Sequence, residues 1–100
     1  MPERKEGVLP KYKIFETDQY LHDLSEISEN IQNKITNKIS NYVYKQLSEN
    51  PYYGNNIKKL KNYSPETWRY RIGNFRMFYE IDEKEKIVFI VAIDLRKDAY

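Results

Sequence analysis

Residues Trp68 to Tyr79 read WRYRIGNFRMFY, two alternating runs separated by Gly73-Asn74, a pair suited to a two-residue hairpin turn. With that turn, Ile72 faces Phe75, Arg71 faces Arg76 and Arg69 faces Phe78. Side chains alternate along a strand, so Trp68, Tyr70 and Ile72 share one face of the hairpin and Arg69 and Arg71 the other. Two arginines directly opposite each other across a ladder repel. A face that gathers three guanidinium groups therefore implies a polyanion to offset that repulsion, and phosphate matches the arginine fork bidentately. The competing reading is a solvated strand face whose arginines serve solubility alone.

Charge segregation favours the ligand. Residues 1–51 hold seven Lys/Arg and eight Asp/Glu, and residues 80–100 hold four and six. Residues 52–79 hold Lys58, Lys59, Lys61, Arg69, Arg71 and Arg76 against Glu66 alone. The regional net charges are thus −1, −2 and +5, which make up the overall +2. A nearly neutral chain with its surplus positive charge in one block carries the electrostatic footprint of a nucleic-acid contact.

The 100 residues make one domain with one modest core, expected over 11–100 after a flexible N-terminal arm at 1–10. Ten tyrosines supply apolar rings with polar tips, suited to a thin sheet packed on helices. Cysteine is absent, which excludes disulfides and Cys-based metal sites, and with no signal peptide a reducing cytoplasm is the expected location. The longest apolar run, Ile87 to Ile93, is too short to cross a bilayer.

Tyr12 to Glu16 can form a first strand. Thr17 or Asp18 caps a short helix burying Tyr20, Leu21, Leu24 and Ile27. Ser28 caps a second, with Ile31, Ile35, Ile39, Val43 and Leu47 on one slightly drifting stripe, ending before Asn50-Pro51. Tyr52 to Glu66 reads as a loop that Leu60 anchors on the core. Strands follow at about 67–72, 75–82 and 86–94, the last apolar on both faces and hence central. The order predicts an α+β fold in which two N-terminal helices pack on one face of a mainly antiparallel four-stranded sheet.

The candidate site is Arg69, Arg71, Arg76 and Arg96 with Lys58, Lys59 and Lys61 nearby, suited to capturing RNA phosphates and stabilising a phosphorane-like transition state. Phe78 falls on the arginine face, where it can stack on a base or pack under the loop. Tyr100, four residues after Arg96, is a general acid/base, a stacking platform or a frayed end. The one histidine, His22, reads as surface decoration. No calcium-loop spacing, HExxH, Gly-rich phosphate loop or GxSxG elbow occurs, so no metal or cofactor is expected.

Lys59-Leu60-Lys61, the run from Trp68 to Glu80 with its "YRIGNFR…Y" hairpin, and the closing "RKDxY" of Arg96 to Tyr100 together resemble the RelE/ParE toxin superfamily over residues 11–100. RelE-like members are ribosome-dependent endoribonucleases that cut mRNA in the decoding site by attack of the ribose 2′-hydroxyl on the adjacent phosphate. By that resemblance Arg76 contacts the scissile phosphate, Arg69 and Arg71 stand where the family places basic residues, often lysines, and Arg96 and Tyr100 stand at the catalytic end. Arginine stays protonated, so positions 69 and 71 imply charge stabilisation and leave proton transfer to Tyr100. The Arg96-to-Tyr100 spacing is shorter than in the best-known RelE-type enzymes. The resemblance implies a cognate antitoxin and the ribosome with its mRNA as partners. The ParE branch shares the fold but poisons DNA gyrase without cutting RNA, and a member that only binds an antitoxin is a third reading.

Overall fold

The structure is a computed structural model that describes residues 11–95. The expected arm at 1–10, Arg96 and Tyr100 lie outside the described residues.

The elements run β1 (Lys13–Glu16), α1 (Asp18–Ser25), α2 (Glu29–Lys38), a π-helical segment (Ile39–Val43), α3 (Tyr44–Glu49), β2 (Ile57–Lys59), β3 (Trp68–Ile72), β4 (Phe75–Asp82) and β5 (Ile87–Leu95). Thr17 caps α1. Its hydroxyl oxygen accepts from the Tyr20 amide at 3.2 Å and its O–H donates to the Ile90 carbonyl at 2.7 Å, so one side chain starts the helix and ties it to β5. Ser28 occupies the N-cap of α2 without a side-chain capping bond.

The π segment follows from the spacing of the apolar stripe. In an α-helix each step of four residues overshoots a full turn by about 40°, so Ile35, Ile39, Val43 and Leu47 would drift off the core. A wider turn, closed by the Tyr44 amide donating to the Ile39 carbonyl, takes up that drift. All four side chains are buried. The drift shows at the start of the stripe instead, where Ile31, expected inside, is 48% exposed; Leu21 on α1, also expected inside, is 45% exposed.

The sheet has five strands in the order β1-β5-β4-β3-β2, one more than the four expected. Ile57–Lys59, read as loop because Gly54, Asn55 and Asn56 precede it, pairs antiparallel with β3. β1 runs parallel to β5 and the remaining pairs are antiparallel; β5, expected to be central, is an interior strand between β1 and β4, and β4 holds the middle of the sheet. The β3–β4 register is the expected one, Ile72 with Phe75, Arg71 with Arg76 and Arg69 with Phe78. Gly73 takes the positive φ of +57° that a first central turn position requires.

Core side chains from the helices (Tyr20, Ile35, Ile39, Val43, Leu47) meet Tyr70, Ile72, Met77, Tyr79, Val88, Ile90 and Ile93 on one sheet face. Buried tyrosines keep their hydroxyls satisfied: Tyr79 donates to the Pro51 carbonyl at 2.7 Å and Tyr70 to Gln46 Oε1 at 2.6 Å. At the β4–β5 turn, Glu83 accepts from the hydroxyls of Tyr12 (2.8 Å) and Tyr52 (2.6 Å) and pairs with Lys86. Those donors, Lys86 foremost, hold the Glu83 carboxyl down at about 2.

Candidate nucleic-acid interface

The helices take one face of the sheet. The other carries Arg69, Arg71 and Arg76. Lys58, Leu60, Tyr63, Thr67, Arg69, Arg71, Arg76, Phe78, Val91 and Asp94 line a cleft of about 650 Å³ on it. Four cations and one carboxylate line this cleft, so it presents a positive field to an incoming anion.

Strand alternation decides which of the basic residues reach it. Lys58 on β2 is the partner of Arg69 on β3, so the two side chains share a face. Lys59, one residue on, turns to the opposite side, where its ammonium pairs with Glu66 at 3.1 Å and lies 5.9 Å from the Trp68 ring centre. Lys61 is exposed and does not line the cleft. Leu60, expected to anchor on the core, instead lines the cleft wall, because its amide bonds to the Thr67 carbonyl at 2.9 Å and carries β2–β3 pairing one step further.

Arg76 and Asp94 form the best-defined contact of the site. Arg76 Nε donates to Asp94 Oδ1 at 3.1 Å and Nη2 to Oδ2 at 3.3 Å, a bidentate fork. The guanidinium also lies 5.7 Å from the Phe78 ring centre. Asp94 thus offsets the Arg71–Arg76 repulsion from inside the chain, where an external anion alone was expected. Sequence reasoning missed Asp94 as a site residue for a specific reason. A bulge sets Phe78 opposite Ala92 but Tyr79 opposite Ile90, so Val91 is an extra residue on β5. With strict alternation from Val88 and Ile90, Asp94 would point at the helices. The extra residue flips the parity, so Ile93 enters the core and Asp94 stands beside Arg76.

Tyr63 was also missed. It is 58% exposed at the cleft margin, and nothing in a stretch of polar loop distinguishes it. Arg69 Nη2 reaches the Asn56 carbonyl at 3.4 Å, and Arg71 is exposed. Of the described lining residues, Lys58, Tyr63 and Asp94 carry groups able to exchange a proton, whereas the arginines remain charged. The described residues hold no cluster of His, Cys, Asp or Glu fit for a metal ion, and no described helix is long and apolar enough to cross a membrane.

A second, apolar groove of about 710 Å³ opens where the helices meet the hairpin end of the sheet. Ile27, Ile31, Ile35, Ile72, Phe75, Ile93 and Leu95 line it, with Asp23, Glu26, Lys34 and Lys38 at its rim. Asp23 is also structural, since its Oδ2 accepts from the Ile93 amide at 3.2 Å, beyond the last β1–β5 pair.

Comparison with known proteins places this geometry. The family model described as the ParE toxin of a type II toxin–antitoxin system, parDE, matches residues 14–100. Against curated protein sequences the chain has no match. Among solved structures, a Mycobacterium tuberculosis toxin–antitoxin complex, RelBE2, is similar at 25% identity and a TM-score of 0.68, covering 88% of this chain and 100% of that one. The archaeal RelE–RelB complex from Pyrococcus horikoshii is similar at 18% identity and a TM-score of 0.66, over 89% and 99% of the two chains. The isolated Escherichia coli RelE toxin is similar at 14% identity and a TM-score of 0.63, over 88% and 87%. These last two are likenesses of fold.

Proposed function

The chain belongs to the ParE toxin family of type II toxin–antitoxin systems, within the RelE/ParE superfamily, and from the basic cleft on its open sheet face, rather than from that membership, we propose that it is a ribosome-dependent endoribonuclease that cuts mRNA in the decoding site. The observation that carries this reading is the cleft on the open sheet face, where Lys58, Arg69, Arg71 and Arg76 converge. In the reaction the ribose 2′-hydroxyl attacks the neighbouring phosphorus, its proton passes to a base, and the 5′-oxygen leaves with a proton from an acid. Arg76, its fork oriented by Asp94, contacts the scissile phosphate. Arg71, on the opposing position of the hairpin, stabilises the charge that builds on the phosphorane. Tyr100 exchanges the protons and Arg96 assists it. Arg69 and Lys58, with Lys59 and Lys61 outside the cleft, steer the RNA, and Phe78 offers a ring at the cleft floor.

The antitoxin seat in this reading is the apolar groove beside the hairpin end, whose mixed-charge rim suits an amphipathic segment. The Mycobacterium tuberculosis relative was itself solved as a toxin–antitoxin complex.

A second reading is favoured by the family model, which is that of ParE. In it the same basic face binds DNA gyrase and no RNA is cut. Primer extension on an mRNA translated in a purified system separates the two. Ribosome-dependent cuts that weaken with Arg71→Ala and Tyr100→Phe support the ribonuclease. Intact mRNA together with lost supercoiling by gyrase would transfer the assignment to the second reading.

A further inference from the structure

The open sheet face does not end at the arginine cleft. β5 carries it onward: Val91 lines the cleft, and Phe89, two residues along the strand, projects from the same face. Phe89 is the ladder partner of Glu80 on β4 and of Phe15 on β1. The rings of Phe15 and Phe89 meet edge to face with centres 5.6 Å apart. Phe15 stays 54% exposed and takes no part in the core cluster. An apolar path therefore leads from Phe78, against which the Arg76 guanidinium rests, past Val91 and Phe89 to the edge strand.

We infer that this path is the base-binding half of the same site. Phe89 and Phe15 stack bases of a single-stranded RNA whose phosphates lie among the arginines. The inference rests on the ribonuclease reading above. The exposed Phe15 ring and the half-buried Phe89 ring, on a sheet next to clustered cations, suit a ligand that is both polyanionic and planar, as single-stranded RNA is. An acidic peptide would satisfy the cations and leave the rings in water. Glu80, on the same face beside Phe89, repels a phosphate there and leaves the ring to a base. Phe89 lies level with Glu80, four residues along β4 from Arg76 and hence roughly 13 Å away. A base on Phe89 or Phe15 must therefore belong to a nucleotide other than the one at Arg76, and the path contributes only to oligomers.

The test measures binding of labelled single-stranded RNA, a trinucleotide and a decanucleotide, to the full chain by fluorescence anisotropy. Phe15→Leu keeps apolar volume at an exposed edge position and removes the ring. It should weaken the decanucleotide about fivefold or more and leave the trinucleotide unchanged. A decanucleotide with an abasic residue at the stacked position should bind wild type more weakly, with no further loss in Phe15→Leu, a coupling that a merely structural role would not produce. Equal binding of both lengths to wild type and Phe15→Leu, with Arg71→Ala weakening both, would overturn the stacking path and leave the cleft standing. So would a Phe15→Leu variant that loses only antitoxin affinity. Failure of wild type to bind either RNA, or indifference to Arg71→Ala, would overturn base capture by the free chain, while primer extension on the translated mRNA decides the ribonuclease reading separately.

Discussion

Asp94 and Glu83 show how differently single carboxylates act in this chain. Asp94 holds Arg76 in a bidentate fork with the two side chains 50% and 35% exposed, and pairs so wetted contribute little to stability. Arg76→Ala should shift the urea midpoint by no more than about 1 kcal/mol of stability while abolishing activity. Stabilisation by relief of the Arg71 repulsion is not expected, because Asp94 already offsets it. Glu83 is a different case. Its carboxyl is held at about 2 by Lys86, Tyr52 and Tyr12, so the folded state binds its proton later than the unfolded state does. That contribution is complete above the ordinary value of 4.5 and is lost as pH falls toward about 2. Denaturant titrations at several pH values should show the wild-type advantage over Glu83→Gln shrinking across that window and constant from there to neutrality.

At the scale of elements, periodicity told helix from strand and left the irregular turns to packing. The steps of four from Ile35 to Leu47 revealed an apolar stripe but not the π segment that keeps it on the core. Leu47 is fully buried and Leu21 is 45% exposed, although both looked interior by spacing. Leu47→Ala should therefore cost about 2–5 kcal/mol, and Leu21→Ala no more than about 0.5 kcal/mol, read from thermal or chemical unfolding. The bulge at Val91 was likewise illegible, because a run apolar on both faces gives no sign of where its alternation breaks. β2 escaped notice because three residues are too few to show a period. By contrast, Gly73-Asn74 between two alternating runs specified the hairpin register residue by residue, since the turn leaves the strands no freedom to slip.

At the scale of the whole molecule, among the described residues, Lys58, Arg69, Arg71 and Arg76 gather positive charge on the uncovered sheet face, and ionic strength should control binding there. The logarithm of RNA affinity should fall with the logarithm of salt concentration by roughly 0.7 for each phosphate neutralised. Lys58→Ala should lower that slope by about one such increment, and Lys59→Ala by less, because Lys59 is paired with Glu66 away from the cleft. The charge block at 52–79, the hairpin and the α+β order were all properties of the sequence alone, because composition, turn chemistry and alternation are local. Three things belonged to the tertiary structure: the choice of Lys58 over Lys59, the entry of Asp94 into the site, and the line from Phe78 to Phe15. Each depends on which face a side chain takes after a fifth strand pairs and a bulge shifts the count. That parity is decided by partner strands distant in sequence, so no local pattern carries it.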